Sequence, residues 1–145
     1  MPAPKGLMAY IRQRITIISI NRPSQKNINQ ELQWLGSSLG LFNIRDKDKS
    51  CFRVFIELLK SAKSGASLSS DEIAAKLHLT RGTVIHHINR LIESGLVVHE
   101  GNTYYLRADN LRALIDELEK DVKRTWEDLR DIAKEIDGQL DNRNI

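Results

Sequence analysis

Residues 68–97 read Leu-Ser-Ser-Asp-Glu-Ile-Ala-Ala-Lys-Leu-His-Leu-Thr-Arg-Gly-Thr-Val-Ile-His-His-Ile-Asn-Arg-Leu-Ile-Glu-Ser-Gly-Leu-Val, and two helix starts stand close together within them. Ser69 is followed three residues later by Glu72. That is a capping box, and Asp71 and Glu72 suit the positive end of a helix. Ile73, Ala74 and Leu77 form the apolar face of this first helix, which is short and ends at His78-Leu79. Thr80 caps a second helix directly behind it, with Val84, Ile88, Leu91 and Ile92 as its buried stripe and Ser94-Gly95 as its stop.

Working outward, Leu96-Val97-Val98-His99 reads as a strand, Glu100-Gly101-Asn102 as a tight turn, and Thr103-Tyr104-Tyr105-Leu106 as the returning strand. On the other side, Phe52, Phe55, Ile56 and Leu59 recur at helical spacing, which predicts a helix over 47–63 closed by Ser64-Gly65-Ala66. From Asp109 to about Leu140, Leu111, Ile115, Leu118, Val122, Trp126, Leu129, Ala133 and Ile136 recur in steps of three and four. Thirty residues of helix span about 45 Å. A stripe of that length has no evident partner in so small a chain, so we read a helix paired across a twofold axis. Its dimerisation residues are then Leu111, Ile115, Leu118, Val122, Trp126, Leu129 and Ile136. The seam is not a clean heptad, because it drifts around Val122 and Trp126. The alternative is a helix lying back over its own domain.

The N-terminal stretch is less regular. Ile15-Thr16-Ile17-Ile18-Ser19-Ile20 is β-branched and predicts a short strand, and Asn21-Arg22-Pro23-Ser24 a turn. Asn27 with Gln30 predicts a helix start, carried by Leu32, Trp34, Leu35 and Leu39 and ended near Gly36 or Gly40.

Charge is graded along the 145 residues. The net charge is +3, but residues 1–30 carry +5 with no acid, residues 65–107 balance, and residues 108–145 carry −4. A basic front and an acidic tail point to different partners for different parts. A hydrophobic content of 41% with 28% charged residues excludes a wholly disordered chain. Cys51 is the single cysteine, which excludes an intrachain disulfide and fits a reducing cytoplasm. Beside Phe52, it reads as a buried structural thiol. No apolar run reaches the roughly 18 residues of a membrane span, and the start of the chain makes a poor secretory signal.

Helix, short helix, tight turn, helix and hairpin are the order of a winged helix-turn-helix. Residues 48–107 resemble that family, with 68–77 similar to its first motif helix, 78–84 to the turn and recognition-helix start, and 85–97 to the remainder found in ArsR-like and related prokaryotic regulators, with an archaeal flavour. The resemblance implies a mainly α fold with a small β-hairpin wing and a long C-terminal dimerisation helix. It divides the chain into a basic extension (1–46), the DNA-binding domain (47–107) and the dimerisation helix with its tail (108–145). The function implied is sequence-specific binding of double-stranded DNA by a homodimer that regulates transcription. The rival is a winged helix used as a protein-docking module, favoured by the wing tip His99-Glu100-Gly101-Asn102, which holds no Lys or Arg, and by the acidic tail.

A DNA-reading helix needs a buried stripe to fix its angle and a polar N-terminal face to reach base edges. The base-reading set is therefore Arg81, Thr83, Ile85 and His86: Arg81 can fork onto guanine, and Thr83 or Ile85 can touch a thymine methyl. Lys76, Thr80, Asn89, Arg90 and Asn102 are expected at phosphates or flanks, with Arg12 and Arg14 of the extension supplying backbone affinity. In the family pattern the position of His87 packs at the helix interface. His86 and His87 point about 100° apart and do not chelate together. The paired cysteines and His/Asp/Glu clusters of metal-sensing ArsR-like proteins are missing, so no metal and no cofactor is expected, and no effector ligand can be named. The chain has no phosphate-cradling glycine loop and no nucleophile elbow, and Asp116-Glu117 and Glu127-Asp128 read as surface charge. A non-enzyme is expected.

Overall fold

The computed structural model describes residues 11–42 and 48–143. Residues 1–10 of the basic extension, Lys5 among them, lie outside the described residues, as does the predicted helix start at 47. The elements run α1 (Ile28–Ser38), α2 (Ser50–Lys63), β1 (Leu68–Ser69), α3 (Ser70–Leu77), α4 (Arg81–Glu93), β2 (Val97–Glu100), β3 (Thr103–Leu106) and α5 (Leu111–Arg143). This is the expected fold class: mostly helical, with a small antiparallel sheet and one long C-terminal helix.

The core is assembled from one stripe of each element. Cys51, Val54, Phe55 and Leu58 of α2 are fully buried, and Ile73, Val84, Ile88 and Leu91 of α3 and α4 join them. Leu96, Val97 and Leu106 close the sheet side. Each large apolar side chain so buried stabilises the fold by about 1.5–3 kcal/mol before entropy is counted. Cys51 is part of this core, as its neighbour Phe52 implied.

The sheet has three strands rather than the two expected, in the order β1-β3-β2. Leu68 pairs with Tyr104 and Ser69 with Thr103. Two residues are too few to show alternation, and Ser69 is also the N-cap of α3, so its sequence signal is that of a helix start. In the hairpin, Glu100 pairs with Thr103, leaving Gly101-Asn102 as a two-residue loop. Gly101 sits at φ +60°, the glycine-first pattern of a type II′ turn.

The predicted strand over 15–20 does not form. That stretch runs without regular structure, fastened by Arg14 N–H to the Glu93 carbonyl at 2.9 Å and Ile18 N–H to the Ser38 carbonyl at 2.7 Å. β propensity measures fit to a pleated, half-buried surface; these residues pair with no strand among the described residues, and Ile17, Ile18 and Ile20 stay exposed. The α1 start is as read, with Asn27 accepting the Gln30 N–H at 2.9 Å. Gly36 does not end this helix but is buried within it, because the ring of Phe52 packs where a Cβ would stand.

The long helix divides into two parts. Leu114 (0% exposed) and Leu118 (5%) belong to the core of their own domain, and Leu111 packs against it. Leu118, and in part Leu111, thus anchor α5 to its own domain. Beyond Val122 the stripe is open among the described residues: Trp126, Leu129, Ile132, Ile136 and Leu140 are 42–55% exposed.

Candidate nucleic-acid interface

The helix-turn-helix is held by caps at both of its starts. Ser69 Oγ accepts the Glu72 N–H at 3.1 Å, and Glu72 Oε1 accepts the Ser69 N–H at 3.1 Å. The Ser69 backbone N–H and its side chain hold the Glu72 carboxyl below the usual carboxylate range. At the far end of α3 the Leu77 carbonyl accepts from Arg53 Nη2 at 2.7 Å. His78 turns the chain in the left-handed region at φ 55°, and the Leu79 N–H reaches back to the Ala74 carbonyl at 3.0 Å. A non-glycine residue there costs roughly 1–2 kcal/mol, met by the packing of both helices.

Thr80 then caps α4, its Oγ1 accepting the Thr83 N–H at 3.2 Å while its hydroxyl donates to Thr83 Oγ1 at 2.8 Å. Thr80→Ala removes both bonds and is expected to lower stability by about 1 kcal/mol, read as a drop of a few degrees in thermal midpoint. An unchanged midpoint would show that the α4 start is held by packing alone.

Val84, His87, Ile88 and Leu91 bury one side of α4. His87 therefore lies where the family pattern expected it, with the His86 ring 5.4 Å away. The opposite side is open: Arg81, Gly82, His86 and Asn89 are exposed, and Thr83 and Ile85 are half-buried. Arg81 Nε stands 3.6 Å from Asp71 Oδ1 with both side chains largely in solvent. A contact of that kind contributes about 0–1 kcal/mol and leaves the guanidinium free to exchange partners. Thr83 retains its hydroxyl proton as a donor. Lys76 is exposed on the last turn of α3, and Asn102 on the wing tip.

The remaining predicted contacts stand apart from this face. Arg90 is half-buried and donates from Nη2 to the Gly40 carbonyl at 3.4 Å. Arg12 lies 3.7 Å from Asp128, and Arg14 Nε donates to Glu93 Oε1 at 2.7 Å. The described part of the basic extension is thus laid along the C-terminal end of α4 and the middle of α5 rather than held as a free arm.

Between these elements lies a polar cluster that the sequence reading missed. Asp121 is 3% exposed and accepts from Arg107 through both carboxylate oxygens, the Nη2 bond measuring 3.0 Å. Gln13 Nε2 donates to its Oδ2 at 2.9 Å, and Arg124 Nη2 to its Oδ1 at 2.5 Å. These donors, Arg107 foremost, hold the Asp121 carboxyl far below the usual range, and the same bond raises Arg107. Gln13 Nε2 also donates to the Ser94 carbonyl at 3.0 Å. It fills the space beside Gly95, which sits at φ +85° and has no room for a Cβ. The network ties the base of the wing, the N-terminal segment and the root of α5 together. The available signal was positional: Asp121 falls three residues after Leu118 and seven after Leu114, on the buried side of α5.

Residues 56–98 match the model of a family described as winged helix-turn-helix DNA-binding. The match runs from within α2 to the middle of β2 and includes neither the N-terminal segment nor α5. No curated protein and no solved structure gives a significant match to the chain. The element order has the winged helix-turn-helix arrangement, and residues 56–98 are similar to a DNA-binding family of that fold. No helix among the described residues is long and apolar enough to cross a membrane.

Proposed function

We propose that the chain is a homodimeric, sequence-specific double-stranded DNA-binding protein that regulates transcription, of the ArsR-like kind and without an enzymatic role. The observation that carries this reading is the two-sided α4, whose stripe is buried while Arg81, His86 and Asn89 face solvent on the opposite flank. A helix so held presents its first turns to a major groove. Arg81, Thr83, Ile85 and His86 read base edges, and Lys76, Thr80, Asn89 and Asn102 take phosphates or flanks. Arg90 and Arg14 contribute mainly through the local field, being engaged with the Gly40 carbonyl and Glu93, while Arg12, in a loose and exposed contact with Asp128, stays free to meet a phosphate. Trp126, Leu129 and Ile136 supply the dimer surface, with Ile115 and Val122 at its domain-side margin; the exposed apolar half of α5 supports that reading. A cytoplasmic location follows from the DNA partner.

Gel-shift titration against duplex and single-stranded DNA at two salt concentrations tests this proposal. Binding should prefer duplex and weaken with salt, with a slope of about 0.9 per phosphate neutralised. Arg81→Ala should cost roughly 1–3 kcal/mol on the specific site and little on random duplex. An unchanged footprint removes Arg81 from the reading set. No salt-sensitive duplex binding at micromolar protein would favour the docking-module alternative.

A further inference from the structure

We propose that the exposed half of α5 pairs antiparallel with the same segment of a second copy. The inference rests on the dimer reading above and adds the direction of the pairing. Trp126, Leu129, Ala133, Ile136 and Leu140 step by three and four in strict alternation, a heptad with Trp126, Ala133 and Leu140 at a and Leu129 and Ile136 at d. Upstream, Leu118, Val122 and Trp126 step by four and four. The register therefore shifts where the helix leaves its own core, so the distal segment carries a seam of its own.

Parallel two-stranded coils favour a β-branched residue at a and leucine at d. This seam has its β-branched Ile136 at d and none at a. In a parallel pair each a residue meets its own copy, crowding Trp126 against the partner's Trp126 and leaving a hole between Ala133 and the partner's Ala133. Antiparallel packing sets a against d. Ala133 then faces the partner's Ile136, so small meets large, and Leu129 faces the partner's Leu140.

The flanking charges choose the same direction. Arg130 and Asp137 occupy the two e positions, and Thr125, Ile132 and Gln139 the g positions. Antiparallel helices bring e opposite e, so Arg130 meets the partner's Asp137 twice across the twofold axis. Parallel helices bring g opposite e, setting Ile132 against the partner's Asp137 and Thr125 against the partner's Arg130, with no charge pair. The axis then falls between Lys134 and Glu135. At 1.5 Å per residue, the two Leu118 anchors stand about 50 Å apart at opposite ends of the pair.

Cysteine cross-linking of the full chain tests the direction, and Cys51, 0% exposed, stays out of the reaction. Leu129→Cys alone and Leu140→Cys alone should not cross-link under mild oxidation, whereas an equimolar mixture should give a covalent dimer. Self-cross-linking of Leu129→Cys in a chain that sediments as a dimer overturns the antiparallel pairing and leaves the dimer standing. A chain that sediments as a monomer overturns the dimer reading itself. As a second measurement without cysteines, Arg130→Asp should raise the dimer dissociation constant by roughly threefold to tenfold, and Arg130→Asp combined with Asp137→Arg should restore it. No rescue by the double variant overturns the antiparallel pairing.

Discussion

Asp121→Ala is expected to lower stability by about 3 kcal/mol, more than any substitution on the solvent face of α4. Removing one partner of a buried ion pair typically costs about 3–5 kcal/mol, because the other charge is left without its counter-ion. The low end applies here: Arg107 keeps 25% of its side chain in solvent and Arg124 73%, so both can rehydrate in part. Asp121→Asn should cost nearly as much, since an amide nitrogen would face donors from Arg107, Gln13 or Arg124. Chemical denaturation measures the effect, and a loss below about 0.5 kcal/mol would show that the root of α5 is held by Leu114 and Leu118 alone. The same group makes stability depend on acid. Its folded-state value lies below the ordinary carboxylate value of about 4. Above that ordinary value both folded and unfolded chains are ionised and the contribution is complete. As the pH falls through it, the unfolded chain takes up a proton that the folded chain refuses, and the stabilisation is progressively lost. The acid-side loss should be shallower in Asp121→Asn.

Why the helix-turn-helix was legible and this cluster was not follows from how each is encoded. Ser69 with Glu72, and Thr80 before Val84, Ile88 and Leu91, are contacts within a few residues of one another, so spacing alone exposes them. The α4 boundaries, the hairpin and the extent of α5 follow from such local rules. Asp121 finds Gln13 and Arg107 far away along the chain, and no periodicity links a glutamine in an irregular segment to a carboxylate on a helix. The strand expected over 15–20 failed for a related reason, since propensity is local and a ladder partner is not. Arg12 and Arg14 were read from charge and Arg90 from its flank of the helix, neither of which can tell that Asp128, Glu93 and the Gly40 carbonyl lie within reach.

Ending the chain after Asp128 is expected to leave a folded monomer that binds a two-half-site duplex roughly 100- to 10,000-fold more weakly than the intact protein. The cut removes Leu129, Ile132, Ile136 and Leu140, all exposed, and none of them contributes to the core. It keeps Leu114, Leu118 and the Asp121 cluster, which an earlier end near residue 108 would strip from the domain. The thermal midpoint of the domain should therefore change little. The loss in affinity follows from linkage: joining two binding modules makes the second contact intramolecular, and that gain disappears when the joint is cut. Affinity for a single half-site should stay within about threefold of the intact chain, because Arg81, Thr83, Ile85 and His86 are untouched; converted, that bound is under about 0.7 kcal/mol. Sedimentation and gel shift on one-site and two-site duplexes separate the outcomes. A shortened chain that still sediments as a dimer would move the interface off the distal half of α5. Equal losses on one-site and two-site DNA would instead mean that the removed segment touches DNA itself.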